Sequence, residues 1–96
     1  MRNRVKLHHH TYTIHLADHG KLMDNFGTTL FEDMSIHIEK SLVQSKREST
    51  LAHEILHALL EESGAKMLLA ESEELFVRTL ENIFYFFLKD NTDFYK

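Results

Sequence analysis

The residues with the plainest chemical potential in this chain are His53-Glu54-Ile55-Leu56-His57, an H-E-x-x-H pattern. On a helix, residues four apart lie one above the other on one face, so both imidazoles reach a single ion. Neutral imidazole is a good zinc ligand, at about 2.0–2.1 Å. Glu54 is turned by about 100° from His53, which lets its carboxylate hydrogen-bond a water in the ion's open coordination position. Two ligands and an adjacent base are what metal-assisted hydrolysis needs, and the spacing supplies them.

A catalytic zinc usually takes three protein ligands and one water. No third histidine stands at the H-E-x-x-H-x-x-G-x-x-H spacing, because Leu60 and Ser63 occupy the relevant positions. The third ligand is therefore sought among the acids opening the next long helical segment: Glu71, Glu73 and Glu74. Glu73 lies in line with Val77, Leu80 and Phe84 and so points to the core side. Glu74 lies on the flank of that stripe, where a cleft can open. Either acid would also be stabilised in a helix's first turn by the helix dipole alone.

These residues need elements to position them. Residues 5 to 16 read as a strand, since Tyr12, Ile14 and Leu16 alternate with Thr11, Thr13 and His15. The run His8-His9-His10 falls inside it and reads as surface residues of that strand, because consecutive strand residues point to opposite faces. Asp18-His19-Gly20 signals a turn, and Gly27 marks a bend. Residues 28 to 31 and 34 to 39 form a second β region, with Met34, Ile36 and Ile38 facing one way and His37 and Glu39 the other. Glu32-Asp33 makes the tight turn between them.

Ser45-Lys46-Arg47-Glu48 fits a capping box. The helix it opens runs to about Glu62 and stops at Gly64, with Leu51, Ile55, Ala58 and Leu59 facing the core. A last helix covers roughly residues 72 to 89, with Phe76, Val77, Leu80, Ile83, Phe84 and Phe87 as its buried stripe. Strands come first and helices afterwards, which points to an α+β fold in one domain spanning residues 1–96.

Composition narrows the function. The chain has 96 residues, no cysteine and no proline, so thiolate metal sites, disulfides and thiol nucleophiles are excluded. A net charge of −4 without a basic stripe beyond the first six residues speaks against nucleic acid as a partner. The first residues lack the apolar core of a signal peptide, and Ile83-Phe84-Tyr85-Phe86-Phe87-Leu88 is too short to span a membrane. The expectation is a cytoplasmic protein without a membrane partner. Aromatics on more than one face of the last helix allow a homo-oligomer through that helix.

Thr50-Leu51-Ala52-His53-Glu54-Ile55-Leu56-His57-Ala58 resembles the active-site helix of small zincin-like proteins carried by phages and their bacterial hosts. These are similar to the peptidase domain of the ImmA/IrrE family. The resemblance extends upstream to Gly27 and Ser35-Ile36-His37-Ile38, and downstream to Glu74-Leu75-Phe76-Val77 and Leu88-Lys89-Asp90-Asn91. It implies a minimal zincin-like fold: a small twisted β-sheet, an active-site helix and a ligand-bearing helix. It also implies that Glu74, with Glu73 as runner-up, completes the zinc site.

The function expected on these grounds is a zinc-dependent peptidase acting on peptide or protein substrates. His53, His57 and Glu74 hold Zn²⁺, and Glu54 is the general base on a zinc-bound water. The strand from Met34 to Glu39 is expected at a sheet edge, offering free backbone groups to an extended substrate. His37, Tyr12 and Tyr85 are candidate donors to the oxyanion. The alternative is a non-enzymatic phage or host interaction protein with a structural or degenerate metal site.

Overall fold

A computed structural model describes residues 2–18, 22 and 25–96. The β-branched and aromatic residues of the N-terminal half form β1 (Arg4–Leu7), β2 (His10–Ala17), β3 (Gly27–Leu30) and β4 (Ser35–Glu39). The C-terminal half forms α1 (Gln44–Ser63), α2 (Ala65–Leu69), a 3-10 turn (Ala70–Ser72) and α3 (Glu73–Asn91). The fold is α+β.

The single expected strand over residues 5 to 16 is a hairpin. Leu7 pairs with His10, and His8-His9 make the two-residue turn, with His8 at φ 58°. Hairpin turns of this length require positive φ, which a histidine tolerates better than a β-branched residue. The histidine run is thus a turn followed by the first residue of β2. The turn expected at Asp18-His19-Gly20 falls on positions outside the described residues, apart from Asp18.

The sheet order is β1-β2-β4-β3, with β2 and β4 parallel and the other two pairs antiparallel. β4 therefore lies inside the sheet, not at its edge as expected; β1 and β3 are the edges. The reason is register: Ile14 pairs with Ile36 and Leu16 with Ile38, which sets the two most apolar strands side by side. Ile36 and Ile38 are fully buried, while Met34 has left the strand at φ 51° and is exposed in a four-residue turn, Phe31 to Met34.

The helices cover one face of this sheet. Leu51, Ala52, Ile55 and Ala58 of α1 pack on Tyr12, Ile14, Ile36 and Ile38. Leu56 and Leu60, on the other side of α1, pack on Val77 of α3. Helix α1 ends as expected at Gly64, whose φ of 80° suits a residue without Cβ. Its start differs. Val43 is the N-cap, and no side chain caps the helix. Glu48, expected to reach back in a capping box with Ser45, is buried and accepts hydrogen bonds from Tyr85 Oη (3.1 Å) and Gln44 Nε2 (3.2 Å). Tyr85, 37 residues along the chain, and Gln44 have taken the carboxylate from the local cap.

The buried stripe of α3 also differs. Val77 and Tyr85 are buried, Leu80, Phe84 and Leu88 are half-buried, and Phe76, Ile83 and Phe87 are exposed. One helical neighbour covers only a narrow arc, and the pull of Tyr85 toward Glu48 rotates that arc away from Ile83 and Phe87. After α3 the chain folds back: Tyr95 Oη donates to the Glu48 carbonyl at 3.0 Å. Burial, with the Glu48 and Tyr85 charges adding to it, pushes the Tyr95 phenol above its ordinary value and keeps it a donor. Among the described residues, no helix is long and apolar enough to cross a membrane.

Glu48 thus joins α1, α3 and the C-terminal segment, which yields a direct test. Tyr85→Phe removes a donor from a buried carboxylate and is expected to lower stability by about 1–3 kcal/mol. Urea unfolding followed by circular dichroism measures it, and an unchanged midpoint would refute the tether.

Candidate metal centre

His53 and His57 stand one turn apart on the face of α1 that meets α3, at the floor of a cleft of about 740 Å³. Their Nε2 atoms lie 3.3 Å from each other. Glu74, in the first turn of α3, closes the group: its Oε1 is 3.1 Å from His53 Nε2 and its Oε2 is 2.9 Å from His57 Nε2. These three residues form a group that could hold a metal ion.

The far sides of the rings are also engaged. His57 Nδ1 lies 2.5 Å from Glu73 Oε2, and His53 Nδ1 lies 2.7 Å from Glu81 Oε2. A carboxylate only accepts hydrogen bonds, so each Nδ1 carries a proton toward Glu73 or Glu81; Nε2 then donates to Glu74 when the ring is protonated and offers a lone pair to an ion when it is neutral. Carboxylates behind the rings fix tautomer and orientation and raise ligand basicity. Burial alone would push the Glu74 carboxyl up, but positive charge at His53 and His57 and the neighbouring Arg78 outweigh it and hold the group below its ordinary value.

Glu73 also lines the cleft, but from its position in line with Val77 its carboxylate meets His57 Nδ1, whereas Glu74, on the flank, meets both Nε2 atoms. Glu71 lies exposed in the 3-10 turn and does not line the cleft. Glu81 was missed in the sequence. Its signal is visible in retrospect, since it follows Glu73 and Val77 at steps of four on the same face of α3.

Glu54 is buried beside the pair, and Thr29 of β3 donates from Oγ1 to its Oε1 at 2.7 Å. Burial raises the Glu54 carboxyl above its ordinary value, with Glu74 adding to it, against the Thr29 hydrogen bond and the charges of His53 and His57. Edge strand and helix are pressed close here. A Cβ at Gly27 would meet Thr50 Cγ2 at 2.7 Å and Glu54 Cγ at 3.2 Å, so only glycine lets β3 approach this near.

The expected oxyanion donors are not brought to the cleft. Tyr12 is in the core, where burial and then the acids Glu62 and Glu61 raise its phenol. Tyr85 is bound to Glu48. His37 lies on the sheet stacked on His15, with ring centroids 4.9 Å apart, and burial followed by the His15 charge lowers it, against Asp33.

No family model, curated protein or solved structure matches the chain.

The geometry ranks the carboxylates. Metal analysis of protein purified without chelator is expected to find about one ion per chain, and none in His53→Ala or His57→Ala. Glu74→Gln, which removes a ligand, should weaken binding more than Glu73→Gln or Glu81→Gln, each expected to cost about 10–100-fold through loss of ring orientation. Equal affinity in all three variants would overturn the assignment.

Proposed function

We propose that this chain is a zinc-dependent peptidase of minimal zincin-like architecture, in which His53, His57 and Glu74 hold the ion and Glu54 is the general base. One observation carries the reading. Two imidazole Nε2 atoms and a carboxylate converge to within 3.3 Å of one another, while Glu73 and Glu81 occupy the Nδ1 side of each ring. With both rings neutral and protonated on Nδ1, all three groups are acceptors, and a metal ion among them relieves their repulsion. Two imidazoles and one carboxylate suit zinc, whereas magnesium and calcium prefer sets made of oxygen. Tetrahedral ligands at about 2.0–2.1 Å from zinc lie about 3.3 Å apart, close to the spacing seen.

Zinc, when bound, supplies Lewis-acid polarisation of a carbonyl and lowers the pKa of water. The remaining work falls to the chain. Glu54, with raised proton affinity and held by Thr29, takes a proton from water and passes it to the leaving amine. β3 supports a peptide as substrate, because it forms a sheet edge and lines the same cleft. Its outer backbone groups suit pairing with an extended chain. Kinship with the ImmA/IrrE peptidase domain and with phage-borne zincins belongs to this proposal and rests on the His53–His57 helix.

A rival reading has the ion as a structural staple, favoured by the way the group bridges α1 and α3. A staple has no use for a buried carboxylate at position 54. Glu54→Gln tests the difference, since it keeps shape and removes the base. Zinc content and melting temperature should hardly change, while peptide cleavage falls by roughly 10²–10⁴. Cleavage that persists in Glu54→Gln would refute the mechanism. Under the staple reading the sensitive variant is His53→Ala, through lost metal-coupled folding energy.

A further inference from the structure

The cleft has a feature that hydrolysis alone does not require. Phe26 and Phe31 immediately precede and follow β3, and a lysine stands over each ring. Lys46 Nζ lies 5.1 Å from the Phe26 centroid, and Lys66 Nζ lies 4.1 Å from that of Phe31. All four residues line the cleft. The lysines come from opposite ends of α1: Lys46 sits in its first turn and Lys66 lies beyond Gly64 in α2. His53, Glu54 and His57 stand between them.

We propose that the cleft selects extended peptides with acidic side chains at both ends of the bound segment, taken by Lys46 and Lys66, and with uncharged residues at the scissile bond. This rests on the peptidase reading given above. Phe26 and Phe31 are five residues apart, so the lysines bracket about 17 Å of edge strand. An extended peptide of that length places its two acids roughly four to six residues apart. Resting an ammonium on an aromatic face holds it at the rim while leaving its hydrogen-bond donors directed outward. Lys66 has one acidic contact, Glu61 at 3.8 Å, between side chains that are both about 40% exposed. Such a pair is worth little and yields readily to a better placed carboxylate.

Toward the middle of the cleft acids outnumber cations among the described residues: Arg78 lines it too, but is paired with Glu74 at 3.2 Å. Glu73 and Glu81 are committed to the ring nitrogens, and Glu74 faces the metal position. A substrate carboxylate next to the scissile bond meets these acids, while one at either end meets a lysine. Charge therefore sets where the acids of a bound peptide lie.

The test uses zinc-loaded Glu54→Gln protein, which binds without cutting, and fluorescent seven-residue peptides with an uncharged centre. One peptide has Glu at both ends and the other has Lys. Fluorescence anisotropy at low salt is expected to give about tenfold tighter binding of the acidic peptide. Lys46→Glu with Lys66→Glu, shown by circular dichroism to be folded, should reverse the preference. Equal binding of the two peptides, no binding of either, or an acidic preference that survives in the folded double variant would each overturn the proposal. Incubation of the same peptides with the protein carrying native Glu54 separates the two ideas. Lysine-dependent binding without cleavage upholds the charge selection and counts against the peptidase. Cleavage blind to end charge does the reverse.

Discussion

The meeting of His53 Nε2, His57 Nε2 and the Glu74 carboxylate between two helices is the interaction around which the rest of the structure is arranged. Helix geometry brings the two histidines together at no long-range cost, because residues four apart share a face. Glu74 must come from a second helix. That helix is held by Val77 against Leu56 and Leu60, and by Tyr85 on Glu48. Glu73 and Glu81 then occupy the outer nitrogens, so that a single packed interface between α1 and α3 both builds the group and orients its rings.

The sheet contributes from the other side. Gly27 lets β3 lie against Thr50 and Glu54 where any side chain would force them apart, and the Thr29 hydroxyl holds the buried Glu54 carboxylate. Burial favours its protonated form while hydrogen bonding and nearby positive charge oppose that form. The same strand forms a sheet edge, so the element that positions Glu54 also presents backbone to the cleft.

Helix α1, its stop at Gly64 and its core-facing Leu51, Ile55 and Ala58 were legible in the sequence, because each follows from contacts within a few residues. Readings that required knowing a distant partner were not. Ser45 and Glu48 satisfy the capping pattern, yet Tyr85, 37 residues away, takes the Glu48 carboxylate. Residues 5 to 16 alternate like one strand, yet two histidines turn the chain in the middle. Ile83 and Phe87 are apolar at helical spacing, yet the helix has a neighbour on one side only, and they remain exposed.

By itself the sequence determined the α+β class, the helix bearing His53, Glu54 and His57, and the acids near residue 74 as the carboxylates to look for beside the histidines. All of these are local: spacing on a helix, a glycine in left-handed conformation, the order of strand and helix segments. Tertiary structure alone decided that Glu74 faces the histidines while Glu73 stands behind one of them, that Glu81 stands behind the other, and that β3 rather than β4 is the edge beside Glu54. Those outcomes depend on the rotation of α3 about its axis and on the order of strands in the sheet. Both are set by packing between residues far apart in the chain, where a 100° turn or an exchange of neighbours leaves the local pattern unchanged.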